Sequence, residues 1–210
     1  MKIAVVGAAG MVGSRVVSEA ARRGHDLVAV FRTARPAALP PGVIVVEGDA
    51  TDADHMSRQF EGVDAIVAAT RPAAGHEDTI VGITTALLDA AAQTRTRILV
   101  VGGAGPLQNP QDPDRLVVDS PEYVPREWRA VAAASSAQLD ACRAHRADWV
   151  YLSPPAVLEP GHRTGQYRRG GATLIAGADG TSLISAEDLA VAVVDELENP
   201  REDRHFTVGY

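Results

Sequence analysis

A chain of 210 residues, 46% hydrophobic and 22% charged, is long enough to bury a full core and short enough to do so as one domain. Its formal charge of −7 at pH 7 argues against a nucleic-acid or anionic-membrane partner, and no apolar run approaches the length of a membrane span. A lone cysteine, Cys142, excludes an intrachain disulfide; with no signal-peptide layout ahead of Ile3-Ala4-Val5-Val6, the expected compartment is the reducing cytoplasm.

The first elements carry the strongest chemical signal. A buried-strand pattern over 2–6 runs into Gly7-Ala8-Ala9-Gly10-Met11-Val12-Gly13 and then a predicted helix over 11–23. A strand, a tight glycine turn and a helix N-terminus are what a dinucleotide pyrophosphate needs, because free N–H groups then face the phosphates. Gly7 permits the turn, Gly10 lets backbone approach a ligand, and Gly13 lets the helix pack closely on the sheet. The spacing is G-x-x-G-x-x-G, one residue longer in its first interval than G-x-G-x-x-G.

The second strand, predicted over 27–31, ends before Arg32-Thr33-Ala34-Arg35, where an acidic residue would favour a ribose 2′-hydroxyl. Arg32 and Arg35 instead suit a 2′-phosphate, through paired charge-assisted hydrogen bonds, so NADPH is expected over NADH. The third strand, over 43–47, ends in Gly48-Asp49-Ala50-Thr51-Asp52. Asp49 either accepts a hydrogen bond from an adenine amine or only caps the helix predicted over 52–60, for which Asp52 is the better cap.

A fourth strand over 64–69 leads to a helix over 76–94, whose Ile80, Ile83, Leu87 and Leu88 recur at helical spacing as core positions. A fifth strand over 97–102 precedes a proline-rich loop over 103–125, then a helix over 126–147 and a sixth strand over 148–153. Residues 154–184 read as a small irregular lobe with one or two short strands, its apolar fragments lying at 166–168 and 173–176. Ser185 is the predicted N-cap of a last helix to about 198, with Glu187 and Asp188 in its first turn, before a closing strand at 206–208. Alternating strands and helices imply a Rossmann-type α/β fold with a doubly wound parallel sheet, in one domain over 1–210. The insertions at 103–125 and 154–184 follow strand carboxyl ends and are expected to wall a substrate pocket.

The glycine turn, the Gly48-Asp49-Ala50 strand tip and Val100-Val101-Gly102-Gly103-Ala104 resemble an atypical short-chain dehydrogenase/reductase. Tyr151-Leu152-Ser153-Pro154-Pro155, Thr164-Gly165-Gln166-Tyr167 and Ile184-Ser185-Ala186-Glu187-Asp188-Leu189 resemble, more narrowly, the NADH-flavin reductase-like and biliverdin-IXβ (flavin) reductase group. The likeness runs from residue 1 to residue 210. It implies that Gly7, Ala9, Gly10, Met11 and Val12 wrap the pyrophosphate and that Arg32 meets the 2′-phosphate. It also implies that Asp49 and Ala50 flank adenine, that Ala69 and Thr70 line the cofactor's middle, and that Gly102, Gly103 and Pro154 lie near the nicotinamide.

The better-known short-chain reductases pair a tyrosine and a lysine, Tyr-x-x-x-Lys, on the helix before the sixth strand, for proton exchange with an alcohol. This chain has one lysine, Lys2, and the corresponding helix reads Ala133-Ala134-Ser135-Ser136-Ala137-Gln138-Leu139-Asp140. Gly102-Gly103-Ala104 also stands where those enzymes carry a serine. Sugar epimerisation and ordinary alcohol oxidation are therefore disfavoured. Reduction of a flavin or quinone, with flavin as substrate rather than bound cofactor, needs no protein acid. Tyr123, Ser153, His162 and Tyr167 are the candidate proton donors, none singled out. The histidines at 25, 55, 76, 145, 162 and 205 show no ligand spacing, so no metal is expected, and neither a P-loop nor G-x-S-x-G occurs. The expected activity is an NADPH-dependent reductase of a small conjugated acceptor, as a monomer or homodimer. The rival is a non-catalytic regulatory protein that senses NADP(H).

Overall fold

The computed structural model describes residues 1–32 and 39–210. Eight strands form one sheet, in the order β3 (Ile44–Glu47), β2 (Asp26–Phe31), β1 (Lys2–Val6), β4 (Ala65–Ala68), β5 (Arg97–Val101), β6 (Trp149–Ser153), β10 (His205–Gly209) and β8 (Arg168–Gly170). All neighbours pair in parallel except β8, which closes the edge antiparallel to β10. β7 (Val157–Glu159) and β9 (Leu183–Ser185) form a separate parallel pair. The helices are α1 (Met11–Arg22), α2 (Ala53–Gln59), α3 (Ile80–Thr94), α4 (Arg129–Ala144) and α5 (Ala186–Glu198). The order reverses between β1 and β4, the switch point at which doubly wound sheets leave a crevice for ligand.

Side-chain alternation along β1 explains the two layers of helices. Ile3 and Val5 point into a core with Val16 and Val17 of α1 and Leu189 and Val193 of α5. Ala4 and Val6 point into the opposite core, with Met56 of α2, Leu87 and Leu88 of α3, and Leu139 and Cys142 of α4. Burial pushes the Cys142 thiol up to about 12, so it packs as a small apolar group. The helices predicted from 76 and 126 each begin with a 3₁₀ turn, at Glu77–Thr79 and Arg126–Trp128.

The C-terminal lobe carries three short strands, one more than the most expected. The apolar fragment at 173–176 forms none of them: Thr173 makes only an isolated bridge to Gln108. Ser185 does cap α5, its Oγ accepting from the Asp188 N–H at 3.0 Å. The acids behind that cap anchor the lobe. Asp188, fully buried, accepts hydrogen bonds from the Thr164 and Gly165 N–H groups and from the Thr164 and Tyr210 hydroxyls. Burial alone would raise the pKa of Asp188; those donors hold it below the usual carboxylate range.

A second anchor joins the lobe to the outer helix layer. Glu19 on α1 is 5% exposed and receives Arg22, Arg23 and Arg163 at 2.8 Å each. Arg23 continues to Asp195 and Glu198 on α5. Burial opposes the Glu19 charge, but the three guanidiniums outweigh it and keep the carboxyl far below its ordinary value. No described helix is long and apolar enough to cross a membrane.

Because Glu19 and Asp188 have lowered pKa values in the fold, their stabilisation is complete above the unfolded value of about 4 and is lost as pH falls through that point toward the folded values. Denaturant midpoints measured from pH 7 to pH 3 should fall. Glu19→Gln should cost about 2 kcal/mol at pH 7 and flatten that slope; a variant as stable as wild type would refute the anchor.

Candidate functional site

The glycine turn is shaped by backbone approaching backbone. Gly7 has φ of +81°, and a Cβ there would lie 2.4 Å from the Ala69 carbonyl oxygen. A Cβ on Gly13 would lie 2.2 Å from the Gly7 carbonyl oxygen, so α1 can sit on the β1 tip only without one. The Gly10 N–H donates to Gly7 O at 2.9 Å and closes the turn. Gly10 is the N-cap of α1, no side chain caps that helix, and no acid occupies its first turn. The positive end of α1 therefore faces the crevice without a protein anion to neutralise it, and a pyrophosphate fits there. Ala9 and Gly10 are exposed, while Met11 and Val12 are half-buried beside them.

At the tips of β2 and β3, where the sequence leads us to expect the adenosine end of a cofactor, lies an open hollow of about 350 Å³ lined by Arg32, Glu47, Gly48, Asp49, Asp52 and His55. A Cβ on Gly48 would meet Met56 Sδ and Val30 Cγ1 at 2.9 Å, so the chain passes close to α2 there. Asp49 Oδ1 accepts from the Thr51 N–H and hydroxyl, at 3.0 and 2.8 Å. These bonds, with a smaller effect from the Arg32 charge, hold Asp49 below its ordinary pKa. Asp52 is the residue that caps α2, accepting from the His55 N–H at 2.8 Å. Asp49 is thus free of the capping role, and Ala50 is half-buried next to it. Arg35 lies outside the described residues.

On the far side of the switch point, Ala69 and Thr70 follow β4, and the Ala69 N–H donates to Val6 O at 2.9 Å. Gly102 and Gly103 follow β5, and Pro154 is buried just beyond β6. The sequence reading missed what lies beneath the two glycines. Tyr151 Oη lies 2.9 Å from Ser135 O and 3.1 Å from Gln138 Oε1, and Gln138 passes on to Thr84 at 3.0 Å. A Cβ on Gly102 would lie 1.8 Å from that phenol oxygen, and one on Gly103 2.9 Å from Ser135 Cβ. Burial pushes the Tyr151 phenol upward, so it is a neutral structural post. Its signal in the sequence was a tyrosine at an inward position of a fully buried strand, facing small residues on α4.

The candidate donors are dispersed. Ser153 occupies the β6 tip but is fully buried, its hydroxyl 3.0 Å from His205 Nε2. Burial, and secondarily Arg143, lowers the His205 pKa to about 4, so that ring is neutral at pH 7. Tyr123 is half-buried against Leu107, Val117 and Leu174. The Tyr167 hydroxyl donates to Asp195 at 2.6 Å, near the end of α5 where Arg23 also binds; that is the amino end of the sheet, away from Gly102. His162 is exposed, and its carbonyl accepts from Ser185 Oγ. Among the described residues no group of three His, Cys, Asp or Glu could hold a metal.

The two expected wall segments lock together. The Leu174 N–H donates to Gln108 O at 2.9 Å, and the Gln108 N–H donates to Ala172 O at 2.8 Å. Asn109, buried, ties the loop internally to Ser120 and Glu122.

A family model for NAD(P)H-binding proteins matches residues 7–200. A solved structure titled "putative exported protein", from Burkholderia pseudomallei, is 38% identical, with all of both chains covered and a TM-score of 0.86. A "putative epimerase" of Bacteroides thetaiotaomicron is 34% identical, covering 100% of this chain and 96% of that one at a TM-score of 0.90. A "putative NADH-flavin reductase" of Streptococcus pneumoniae is 29% identical, covering 100% and 99% at a TM-score of 0.84.

The geometry separates two glycines by what each would lose. Gly7→Ala should destabilise the fold by about 2 kcal/mol or more, through its positive φ and the Ala69 contact. Gly10→Ala, whose nearest contact is 3.2 Å from Gly7 O, should leave the melting midpoint within a few degrees yet weaken NADPH binding by about tenfold or more. Calorimetric titration and thermal melting check both; a Gly10→Ala protein that binds like wild type would remove the pyrophosphate from this turn.

Proposed function

This chain belongs to the NAD(P)H-binding family, and from that premise we propose that it is an NADPH-preferring reductase of a small conjugated acceptor, such as a flavin or a quinone. The observation that carries the reading is the uncapped, glycine-lined N-terminus of α1, set at the switch point beside a second glycine pair at Gly102 and Gly103. When bound, the reduced nicotinamide supplies a hydride, two electrons with one proton, and solvent supplies the acceptor's second proton.

The chain's own residues then hold and exclude. Gly7, Gly10 and the first N–H groups of α1 bind the pyrophosphate; Ala69, Thr70, Gly102 and Gly103 offer a floor with no side chain that intrudes. No protein acid is required, which agrees with a buried Ser153 and a neutral, buried Tyr151. Epimerisation or alcohol oxidation would need a phenol activated by a neighbouring lysine. The single lysine, Lys2, lies in β1, and α4 carries no tyrosine.

Preference for NADPH rests on Arg32. Glu47, Asp49 and Asp52 share its hollow and disfavour an added phosphate, so the guanidinium must offset them by direct paired hydrogen bonds. Arg32→Asp should raise the Michaelis constant for NADPH by about tenfold while changing that for NADH little. Equal effects on both would remove the preference.

The activity itself is tested by loss of reduced-nicotinamide absorbance with a panel of flavins and quinones. Turnover above the free-solution background for at least one acceptor is expected. Tight NADPH binding with no turnover for any acceptor would favour the sensor over the reductase.

A further inference from the structure

Arg71 and Trp128 stand together beyond the carboxyl end of the sheet. Trp128 is 52% exposed, and the Arg71 guanidinium carbon lies 5.6 Å from its ring centroid. Arg71 is exposed and makes no ion pair among the described residues. The two come from neighbouring connections on the same side of the switch point: Arg71 lies three residues beyond β4, and Trp128 is the N-cap of α4, which follows β5.

Their position relative to the glycine floor follows from α4. Trp128, Ala132 and Ser135 are spaced by four and three, so they share one helix face. That face rests on the floor, since a Cβ on Gly105 would lie 2.1 Å from Ala132 O and one on Gly103 2.9 Å from Ser135 Cβ. Trp128 is thus one helical turn above Gly105, on the open side of the crevice. The start of α4 has no side-chain cap, and its first residue, Arg129, is paired with Asp119 at 2.6 Å. The acids on this rim are Glu77, whose carboxylate accepts from the Gly75 N–H at 3.0 Å, Asp119, paired with Arg129 at 2.6 Å, and Glu127, next to Trp128 in the chain; none of them forms an ion pair with Arg71.

We propose that Arg71 and Trp128 form the acceptor-binding lip, taking a planar conjugated acceptor that carries an anionic group. Trp128 stacks on the acceptor's ring, and Arg71 leaves the indole face to meet the anion, a phosphate or carboxylate on the ring's substituent. An exposed tryptophan held by a guanidinium is a preformed aromatic surface, and that guanidinium forms no ion pair among the described residues. The proposal rests on the reductase reading only in placing the acceptor beside Gly102 and Gly103.

Riboflavin and its 5′-phosphate are the probes, because they share a ring and differ in one anion. Binding is read by quenching of flavin fluorescence with NADP present, and turnover is read separately. Arg71→Ala should weaken riboflavin 5′-phosphate about tenfold and riboflavin by less than about twofold. Trp128→Ala should weaken both about tenfold, and Trp128→Phe should restore most of that loss. Both side chains are exposed, so melting temperatures should stay near wild type and exclude misfolding as the cause. Wild-type dissociation constants in the variants, or no binding of either flavin to the wild type, would overturn the lip. Flavin binding that these variants weaken, without NADPH oxidation by wild type, would leave the lip standing and remove the reductase reading. Oxidation with unchanged Michaelis constants in the variants would do the reverse.

Discussion

Everything at the carboxyl end of the sheet depends on one contact, the approach of Gly7 to the Ala69 carbonyl with Gly13 packed on the Gly7 carbonyl. Three backbone segments meet where no Cβ fits, and their meeting sets the height and angle at which α1 leaves β1. Because Gly10 then caps the helix with backbone alone, the first N–H groups of α1 stay free for an anion. Had a serine or aspartate capped this helix, the same fold would be more stable and the crevice would be electrically quieter. Local stability and anion binding compete for the same donors, and at α1 the chain leaves them uncommitted. At α5 it makes the opposite choice, since Ser185 caps the helix and the acids behind it are saturated with protein donors.

The contrast between the two helices explains how an irregular lobe can border a precise site. Residues 154–184 have little regular structure, yet Asp188 gathers Thr164, Gly165 and Tyr210 around one buried carboxylate, and Glu19 binds Arg163 from across α1. These anchors substitute for the hydrogen-bond ladder that a longer sheet would provide. They lie on the outer layer, on α1 and α5, which leaves the glycine floor unburdened by fastening groups. The inner layer is fastened differently, by Tyr151, Ser135, Gln138 and Thr84, a neutral chain sealed from solvent.

Much of this was legible in the residues. Every strand of the parallel sheet and every helix lies within a few residues of its expected place, because long apolar runs and helical spacing are strong signals. The glycine turn, the Asp52 cap and the Ser185 cap were legible because each requires a particular residue at a particular step. The lobe was less so, since its three short strands pair with partners far along the chain, β7 with β9 and β8 with β10, which no local pattern announces. Tyr167 illustrates the limit most sharply. Its motif suggested a donor, but only the tertiary fold reveals that its hydroxyl turns to Asp195 at the amino end of the sheet. Tyr151, in contrast, was hidden by its neighbours: within a continuous apolar strand a tyrosine reads as core, and its bond to α4 spans 16 residues.

The same comparison bears on the chemistry. A phenol sits close to the glycine floor after all, but Tyr151 lies below it rather than above. The near-contact between its oxygen and the missing Gly102 Cβ shows why the two residues belong together: the glycine is bare because the phenol fills the space beneath. A tyrosine in that position cannot exchange a proton with a ligand over the floor, since burial holds its proton and Ser135 and Gln138 occupy its polar end. The site thus keeps a flat surface where alcohol-oxidising relatives of this fold need an acid. A flat surface suits an acceptor whose electrons are delocalised over a ring and whose proton can come from water. The bareness of Gly102 and the burial of the Tyr151 phenol are one structural fact seen from two sides.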